Sequence, residues 1–198
     1  MNDRQVIIIV LVAIGIGMLW YMANKPTQTT EYDAKNFVVN DAQGKYPEAD
    51  VEVLSTNYSQ NSWKIKVKAT LNASSSCPER IHLYYDYPAF QFSTRQPEFI
   101  TKNCQICINV PECVIVFPEE ALIASHTFPG TEAVKTFLVQ HPTAKGNAKQ
   151  LSSYKNFRNV WKIEWGEWKG PEVQGLYEMM DERGSVIEIG DWGSDGAK

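Results

Sequence analysis

Histidine is scarce in this chain of 198 residues, and the familiar catalytic motifs are missing. Only three histidines occur. No Gly-x-Ser-x-Gly, His-Glu-x-x-His or P-loop sequence is found, so the hydrolases, metalloproteases and nucleotide-binding proteins marked by those motifs are not indicated. A Ser-His-Asp triad has no fixed spacing in sequence, but nothing singles out its members here. The sequence therefore assigns no catalytic residue, and enzymatic activity is not expected.

Basic residues are few and scattered. The chain has 19 Lys and Arg against 23 Asp and Glu, a formal net charge of −4. A nucleic-acid-binding domain usually carries a basic patch, so nucleic acid is excluded as an expected partner. Hydrophobic residues make up 43% and aromatic residues 12%. Disordered chains have few aromatics and a high net charge, so a folded domain is expected.

One long hydrophobic run lies close to the N-terminus. Val6–Met22 contains 17 apolar residues without interruption. As a helix it would span roughly 26 Å, near the hydrocarbon thickness of about 30 Å. Trp20 and Tyr21 stand at its end, where such rings favour the headgroup region. We predict a transmembrane anchor over residues 1–26, with the lipid bilayer as a partner through residues 6–22.

Two other interpretations of this run stay open. A cleaved signal peptide has a shorter apolar region before small residues, and Arg4-Gln5 resembles an archaeal prepilin-type processing context. The five-residue tail of an uncleaved anchor favours placing the rest of the chain outside the cytoplasm. Two Asn-x-Ser sequons, at Asn57 and Asn72, are compatible with that location. We therefore expect a single-pass cell-membrane protein whose bulk is extracytoplasmic.

The order of predicted elements in the first half returns about a hundred residues later. The shared order is a helix, a strand, a tyrosine-bearing turn and a strand that begins Trp-Lys-Ile. The first copy has these elements at Glu31–Gly44, 50–55, 57–61 and Trp63–Leu71, and the second at Thr131–His141, 147–153, 154–156 and Trp161–Trp165. We predict two similar units in which Trp63 and Trp161 occupy equivalent core positions.

The second unit ends in a predicted antiparallel hairpin. Strands are expected over Glu172–Met180 and Ser185–Ile189, and the turn between them contains Gly184, which accepts positive φ. Together with Val160–Trp165, this segment resembles a PepSY or cystatin-type unit, whose last hairpin commonly carries an acidic residue, a glycine and a valine. Asp181, Gly184 and Val186 fit that pattern. The resemblance covers about 60 residues and implies an α+β binding or inhibitory module without catalytic residues.

Four cysteines occur, all in the irregular middle segment: Cys77, Cys104, Cys107 and Cys113. An even number in an extracytoplasmic chain favours two disulfides, and three pairings are open. Cys104 and Cys107 also form a Cys-x-x-Cys, the spacing of thiol-disulfide oxidoreductases. A third interpretation is a zinc site made by the thiolates, with His82 as a substitute ligand. We expect structural disulfides, no metal and no cofactor.

Histidines and tryptophans are the other candidate site residues. His82 lies in an alternating strand and His141 ends a helix, so both are interpreted as structural; His126 is the third. The C-terminal tryptophans are Trp161, Trp165, Trp168 and Trp192. They are interpreted as core residues or, alternatively, as an exposed platform for a peptide or glycan, because aromatic side chains are enriched at binding hot spots. Trp168 is expected to be exposed in a turn over 166–170.

The predicted fold class is α+β. It has an N-terminal transmembrane helix and an ectodomain of short helices packed on antiparallel sheets. The predicted divisions are the anchor at 1–26, a first unit with the cysteine-bearing insertion at 27–127, a second helix-and-meander unit at 128–192, and a tail at 193–198. The predicted function is an envelope binding or assembly module whose partner is an envelope protein, a peptide or a glycan. A thiol-disulfide oxidoreductase using Cys104 and Cys107 is the alternative.

Overall fold

The structure, a computed structural model, describes residues 14–16, 29–88, 90–93, 95–107, 112–169 and 172–193, with the backbone alone at 90–93, 168–169 and 172–173. The chain divides into two compact parts, Met1–Thr30 and Glu31–Lys198. The second part contains three helices and nine strands among its described residues.

The described elements follow one another in two blocks, with one helix and five strands in the first and two helices and four strands in the second. The helices are α1 (Glu31–Lys45), α2 (Pro118–Thr127) and α3 (Glu132–Gln140). The strands are β1 (Asp50–Ser59), β2 (Ser62–Leu71), β3 (Glu79–Tyr87), β4 (Phe90–Ser93), β5 (Glu98–Thr101), β6 (Lys145–Tyr154), β7 (Phe157–Lys169), β8 (Glu172–Met180) and β9 (Val186–Gly193). All pairings between strands are antiparallel.

These strands form two sheets. The first sheet has the order β1-β2-β3, and both β4 and β5 pair with the free edge of β3, at opposite ends of that strand. The second sheet is a meander in the order β6-β7-β8-β9. The face of the first sheet that packs on α1, and the face of the second sheet that packs on α2 and α3, are called the inner faces here, and the opposite faces are called the outer faces. Each sheet also has its own hydrophobic cluster.

The inner face of the first sheet packs against α1. Apolar residues and lysines alternate along β2, so Ile65 and Val67 point inward while the lysines point outward. Ala34, Val38 and Ala42, spaced four residues apart on α1, are fully buried against this face. Spacing by four places them on one side of the helix, and the two alanines allow the helix to approach the sheet closely.

The inner face of the second sheet is covered by α2 and α3. Trp161 and Trp165 alternate with Lys162 and Glu164 along β7, and both indoles are buried. The Nε1–H of Trp161 donates a hydrogen bond to a backbone carbonyl (3.0 Å), and that of Trp165 donates to the Ser125 hydroxyl (3.1 Å). Buried indoles usually find such partners. These two tryptophans are therefore core residues of the second sheet.

Helix α2 lies between the two sheets. Every residue from Glu119 to Ser125 is buried, whereas a helix on a protein surface buries one stripe. One side of the helix meets the outer face of the first sheet through Glu119, and Leu122 packs near Gly146 on the inner face of the second. The carboxylate of Glu120 accepts hydrogen bonds from the N–H groups of residues 116 (2.8 Å) and 117 (3.0 Å), which caps the helix.

The fold class predicted from the sequence is wrong. Instead of an α+β fold headed by a transmembrane helix, the described chain is mainly two antiparallel sheets with helices of 15, 10 and 9 residues. Strands β4 and β5 were not predicted because their segment lacks a clear alternation. Strand β7 continues to Lys169, well beyond the short Trp161–Trp165 alternation.

The predicted single-pass localisation is corrected as well. Within the part of the chain that the structure describes, no helix combines the length and the apolar character needed to cross a membrane. The predicted anchor Val6–Met22 falls outside the described residues except for residues 14–16.

The predicted order of helix, strand, turn and strand is present twice, as α1-β1-β2 and α3-β6-β7. The two tryptophans are not equivalent, however. Trp161 is the fifth residue after its turn and is buried, whereas Trp63 is the second residue after its turn and is only half-buried. The ring of Trp63 lies 4.9 Å from that of Tyr58, between centroids, near the end of the hairpin. The domain boundary at 127/128 stays a prediction.

Candidate functional site

The four cysteines form two disulfides, Cys77–Cys104 and Cys107–Cys113. This confirms the predicted structural bridges and settles their pairing. The first joins the β2–β3 loop to the segment after β5 across a separation of 27 residues, and the second spans 6. Because Cys104 and Cys107 are bonded to different partners, they do not form the dithiol pair that the oxidoreductase alternative requires.

His82 belongs to a buried polar cluster where α2 meets the first sheet, defined by Thr70, Arg80, His82 and Glu119. Arg80 donates hydrogen bonds to Glu119 (3.0 Å) and to Nε2 of His82 (3.0 Å), and the Thr70 hydroxyl also donates to Glu119 (3.0 Å). Burial, reinforced by nearby positive charge, lowers the pKa of His82 to about 4, so its imidazole is neutral at neutral pH.

This Arg80 cluster contacts the aromatic ring that precedes α2. The guanidinium of Arg80 lies 3.6 Å from the centroid of the Phe117 ring, and the His82 ring stands edge-on to the same phenyl. The ring nitrogen Nε2 of His82 is already an acceptor, so the lone pair that zinc would need is used. The zinc interpretation with His82 as a ligand is therefore not supported by the geometry.

His141 ends α3, as predicted. Its Nδ1 lies 2.6 Å from the carboxylate of Glu167 on β7, and the hydroxyl of Thr143 donates to the same carboxylate. Its ring also stacks on Phe137, with 4.3 Å between centroids. The contacts tie the end of the helix to the second sheet, which is a structural role.

The four C-terminal tryptophans are separated by the fold. Trp161 and Trp165 lie in the core and are not available on the surface. Trp168 lies in strand β7 rather than in the predicted turn, and its side chain is outside what is described. Trp192 lies on β9, is half-buried and lines a cleft. Of the predicted platform, Trp192 is therefore the residue that the structure places at a candidate site.

The cleft, called the Trp192 cleft here, opens on the outer face of the second sheet. It has a volume of about 440 Å³. Its main lining residues are Ser74, Lys145, Asn147, Glu164, Gly166 and Trp192. Pockets for small ligands typically measure about 300–1,000 Å³ and combine apolar surface with a few polar groups. The Trp192 cleft falls in this range of volume, and Trp192 is the large apolar side chain among described lining residues that are otherwise polar or glycine.

Gly166 lines this cleft, and Gly175 lies beneath the Trp192 ring beside it. The strand register places Lys145, Gly166, Gly175 and Trp192 in one row across all four strands. The indole of Trp192 lies over Gly175, and a Cβ added to that glycine would come within 2.2–2.6 Å of the ring atoms. Glycine at position 175 is therefore required for the observed position of the ring.

The polar side chains that line the cleft lie in the neighbouring row of the strand register and at the rim of the cleft. Asn147 pairs with Glu164 across β6 and β7, and Glu164 forms an ion pair with Lys162 at 2.7 Å. The Nε1–H of Trp192 is buried and has no hydrogen-bond partner among the described residues. An unpaired buried donor costs free energy, and a ligand or a water molecule that entered here could accept its hydrogen bond.

A clamped carboxylate borders the same outer face. Glu188 on β9 accepts hydrogen bonds from the hydroxyls of Tyr154 (2.8 Å) and Tyr177 (2.8 Å), and from Lys155. The lysine, followed by the two tyrosines, lowers the pKa of Glu188 to about 2. Glu188 therefore stays ionised and holds two aromatic rings in fixed positions beside the Trp192 cleft.

A second carboxyl group, Glu178, lies on the inner face and is separate from the cleft. It is fully buried beside the core residues Leu176 and Met180, and neither oxygen has a partner among the described residues. Burial raises its pKa to about 8, so it is protonated at neutral pH. Apolar surroundings disfavour its charged form, and the strand alternation directs it away from the outer face.

Sequence reasoning missed most of the cleft. Asn147, Glu164 and Gly175 are ordinary residues in sequence, and they come together because of strand register. One signal was present, since a glycine inside a strand pattern indicates a bulge or the close approach of another group. Gly175 in the predicted strand over 172–180 carried that signal.

Comparison with known proteins assigns no family. The chain matches no protein-family model and no curated protein sequence. Among solved structures, it is similar to a Clostridium difficile 630 protein provisionally described as a lipoprotein, with 13% identity over 85% of this chain and 97% of that chain and a TM-score of 0.27. A TM-score this low does not establish a shared fold, and no function is transferred from that protein.

Proposed function

We propose that this protein is a non-catalytic binding module of an oxidising compartment such as the cell envelope, and that its ligand occupies the Trp192 cleft. The two disulfides support the compartment, because such bonds persist where thiols are kept oxidised. The observation that carries the binding role is the half-buried Trp192 indole, whose N–H is unpartnered among the described residues and which lines a polar cleft.

The chemistry of the cleft favours a carbohydrate ligand. An indole ring offers an apolar surface for the C–H groups of a sugar ring and also carries a donor. The carboxylate of Glu164 accepts hydrogen bonds, the amide of Asn147 both donates and accepts, and the ammonium of Lys145 donates. Sugar hydroxyls both donate and accept, so neighbouring hydroxyls can pair with all three side chains.

We also propose that the two helix-and-meander halves are related units of the PepSY or cystatin type. The recurring order of α1-β1-β2 and α3-β6-β7 supports this. The last hairpin supports it too, since Gly184 has φ of +84° and the Asp181 carboxylate accepts hydrogen bonds from the N–H groups of Arg183 (2.9 Å) and Ser185 (2.8 Å). Such units are generally binding or inhibitory modules, which agrees with a binding role.

Calorimetric titration of the protein with a panel of soluble oligosaccharides tests the proposed ligand class. We expect Trp192→Ala to weaken binding of any active oligosaccharide by about tenfold or more, as for a hot-spot aromatic. Gly175→Ala should weaken it similarly, because the added methyl displaces the ring. Tyr32→Ala is the matched control, since Tyr32 is 73% exposed on α1 and does not line the cleft. Unchanged affinity in Trp192→Ala, or no binding by any oligosaccharide, would contradict the proposal.

A further inference from the structure

Two sulfurs and one imidazole come together beside the C-terminal turn of α2. The Sγ atoms of Cys77 and Cys104 and a ring nitrogen of His126 all lie within 4.8 Å of one another, and all three residues are half-buried. None of them lines the Trp192 cleft. Within the described part of the chain, no comparable group of three potential ligands includes Cys107 or Cys113. The two disulfides therefore differ in their chemical surroundings.

The orientation of His126 is fixed in a way that suits a metal ligand. Its Nδ1 lies 3.0 Å from the carbonyl oxygen of Leu122, and a carbonyl can only accept. Nδ1 therefore carries the proton, and Nε2 keeps its lone pair. The ring stands edge-on to the buried indole of Trp165, with 6.2 Å between centroids. Histidines that bind metals usually donate their other ring N–H to a carbonyl or carboxylate in this manner.

The three side chains are also a suitable ligand set for a metal ion. A neutral imidazole and two thiolates are typical ligands of Zn²⁺, and three protein ligands leave the fourth tetrahedral position open. Partial exposure of the three residues gives an ion a path from solvent.

We propose that Cys77, Cys104 and His126 form a redox-gated site for a soft divalent cation such as Zn²⁺. In the oxidised protein the sulfurs are joined to each other. A dithiol reductant transfers two electrons and two protons to this bond, which breaks to give two thiols while the reductant closes to its own disulfide. The cation then displaces the two thiol protons and is held by two sulfurs and Nε2, with solvent in the fourth position.

Cobalt titration of the full-length protein tests this site. The protein is reduced with dithiothreitol, desalted under anaerobic conditions and titrated with Co²⁺, whose tetrahedral d–d bands and sulfur-to-cobalt charge-transfer bands report the ligands. We expect one Co²⁺ per chain after reduction and no such bands before it. Cys107→Ser with Cys113→Ser should keep the bands, whereas His126→Asn should weaken binding by at least about tenfold. Absent bands in the reduced protein, or bands unaffected by His126→Asn, would overturn the proposal.

The wild-type protein supplies a second measurement that does not depend on any variant folding. Reduced protein is alkylated with and without excess Zn²⁺, and the modified cysteines are identified by mass spectrometry. We expect Zn²⁺ to protect Cys77 and Cys104 by about tenfold or more in rate, while Cys107 and Cys113 react as before. Equal protection of all four cysteines would show a four-thiolate site instead, and no protection of Cys77 and Cys104 would exclude the ion from this position.

Discussion

The first and second halves of the molecule use the same order of elements but treat buried polar groups differently. In the first sheet, the buried charges of Arg80 and Glu119 are partners of each other. The side chains of His82 and Asp86 each have one paired polar atom and one buried atom without a partner among the described residues. In the second sheet, the carboxyl of Glu178 is buried with no partner among the described residues, and the N–H of Trp192 is likewise unpaired.

This difference indicates where function lies. Buried polar groups in folded proteins are nearly always paired, and exceptions tend to occur at functional or strained sites. In the described part of the first half, each buried side chain with an unpaired atom also has a paired one, and the Arg80 cluster holds α2 against the first sheet. In the second half, Glu178 and Trp192 have no side-chain hydrogen-bond partner at all among the described residues, and this half also contains the Trp192 cleft. We therefore place ligand binding in the second half.

The largest expected effect is the pH dependence of stability that Glu178 causes, and it distinguishes Glu178 from the paired charges of the first sheet. Its pKa is near 4.5 when exposed and about 8 in the folded protein. Between these values the folded state keeps the proton that the unfolded state loses, so stability falls as pH rises, by roughly 4–5 kcal/mol in total. Below this window the stabilisation is complete, and above it no further loss occurs.

Glu178→Gln removes this titration while keeping the shape of the side chain. Urea unfolding across about pH 5 to pH 8 should show a falling stability for the wild type and, relative to it, a flatter curve for the variant. The difference between the two curves removes the contribution of the histidines, which both proteins share. Parallel curves would mean that Glu178 finds a partner, and the contrast between the halves would then disappear.

The next effect sharpens the contrast between the two cores. Trp165→Ala should lower the free energy of unfolding by about 3–5 kcal/mol, as for a buried large aromatic, because its indole is fully buried and hydrogen-bonded. Trp63→Ala should cost clearly less, since Trp63 is half-buried. Chemical denaturation of both variants checks this. Equal losses in the free energy of unfolding would mean that the two tryptophans are packed equivalently in the two halves.

A comparable loss of stability is expected when the Arg80 cluster, which holds α2 against the first sheet, is disrupted. Arg80→Ala leaves the buried carboxylate of Glu119 without its ion-pair partner, which should cost about 3–5 kcal/mol. The double variant Arg80→Met with Glu119→Leu removes both charges and should recover much of that loss. Thermal and urea unfolding of the three proteins measure the pattern. A double variant no better than Arg80→Ala would show that packing, not the unpaired charge, dominates.

The smallest effect compares the two disulfides of the connecting segment. Cys77→Ser opens a loop with a separation of 27 residues, and Cys107→Ser opens one of 6. Chain-entropy arguments give about 3–4 kcal/mol for the first and about 2 kcal/mol for the second. Melting curves under oxidising conditions check the order. A larger loss for Cys107→Ser would show that strain or local packing outweighs loop length.

Local patterns in the sequence predicted the local elements well. The strict alternation over Trp63–Leu71 identified β2, and the shared apolar face of Glu31–Gly44 identified α1. The start signal Gly130-Thr131 and the stop signal Pro142 identified α3, and Asp181–Gly184 identified the turn before β9. The even number of cysteines predicted the disulfides. Each of these features depends on neighbouring residues, or on a count, and needs no knowledge of how distant segments pack.

Long-range register decided what the sequence could not predict. The placement of α2 between two sheets, with the pairing of Arg80 and Glu119, joins residues 39 positions apart. The Trp192 cleft depends on the row that runs from Lys145 to Trp192 across four strands. A shift of one residue in any strand would move its side chains to the other face. The sequence also does not show that Glu178 is buried, because the strand register decides which face of the sheet it lies on.

The most direct test of the proposed function follows the Nε1–H resonance of Trp192 by NMR during titration with an oligosaccharide, with the signal assigned from Trp192→Phe. The account predicts that this resonance shifts, because its donor is unpartnered among the described residues in the free protein, while those of Trp161 and Trp165 stay in place because they already donate within the core. Binding that leaves the Trp192 resonance unmoved would contradict the assignment of the cleft as the ligand site.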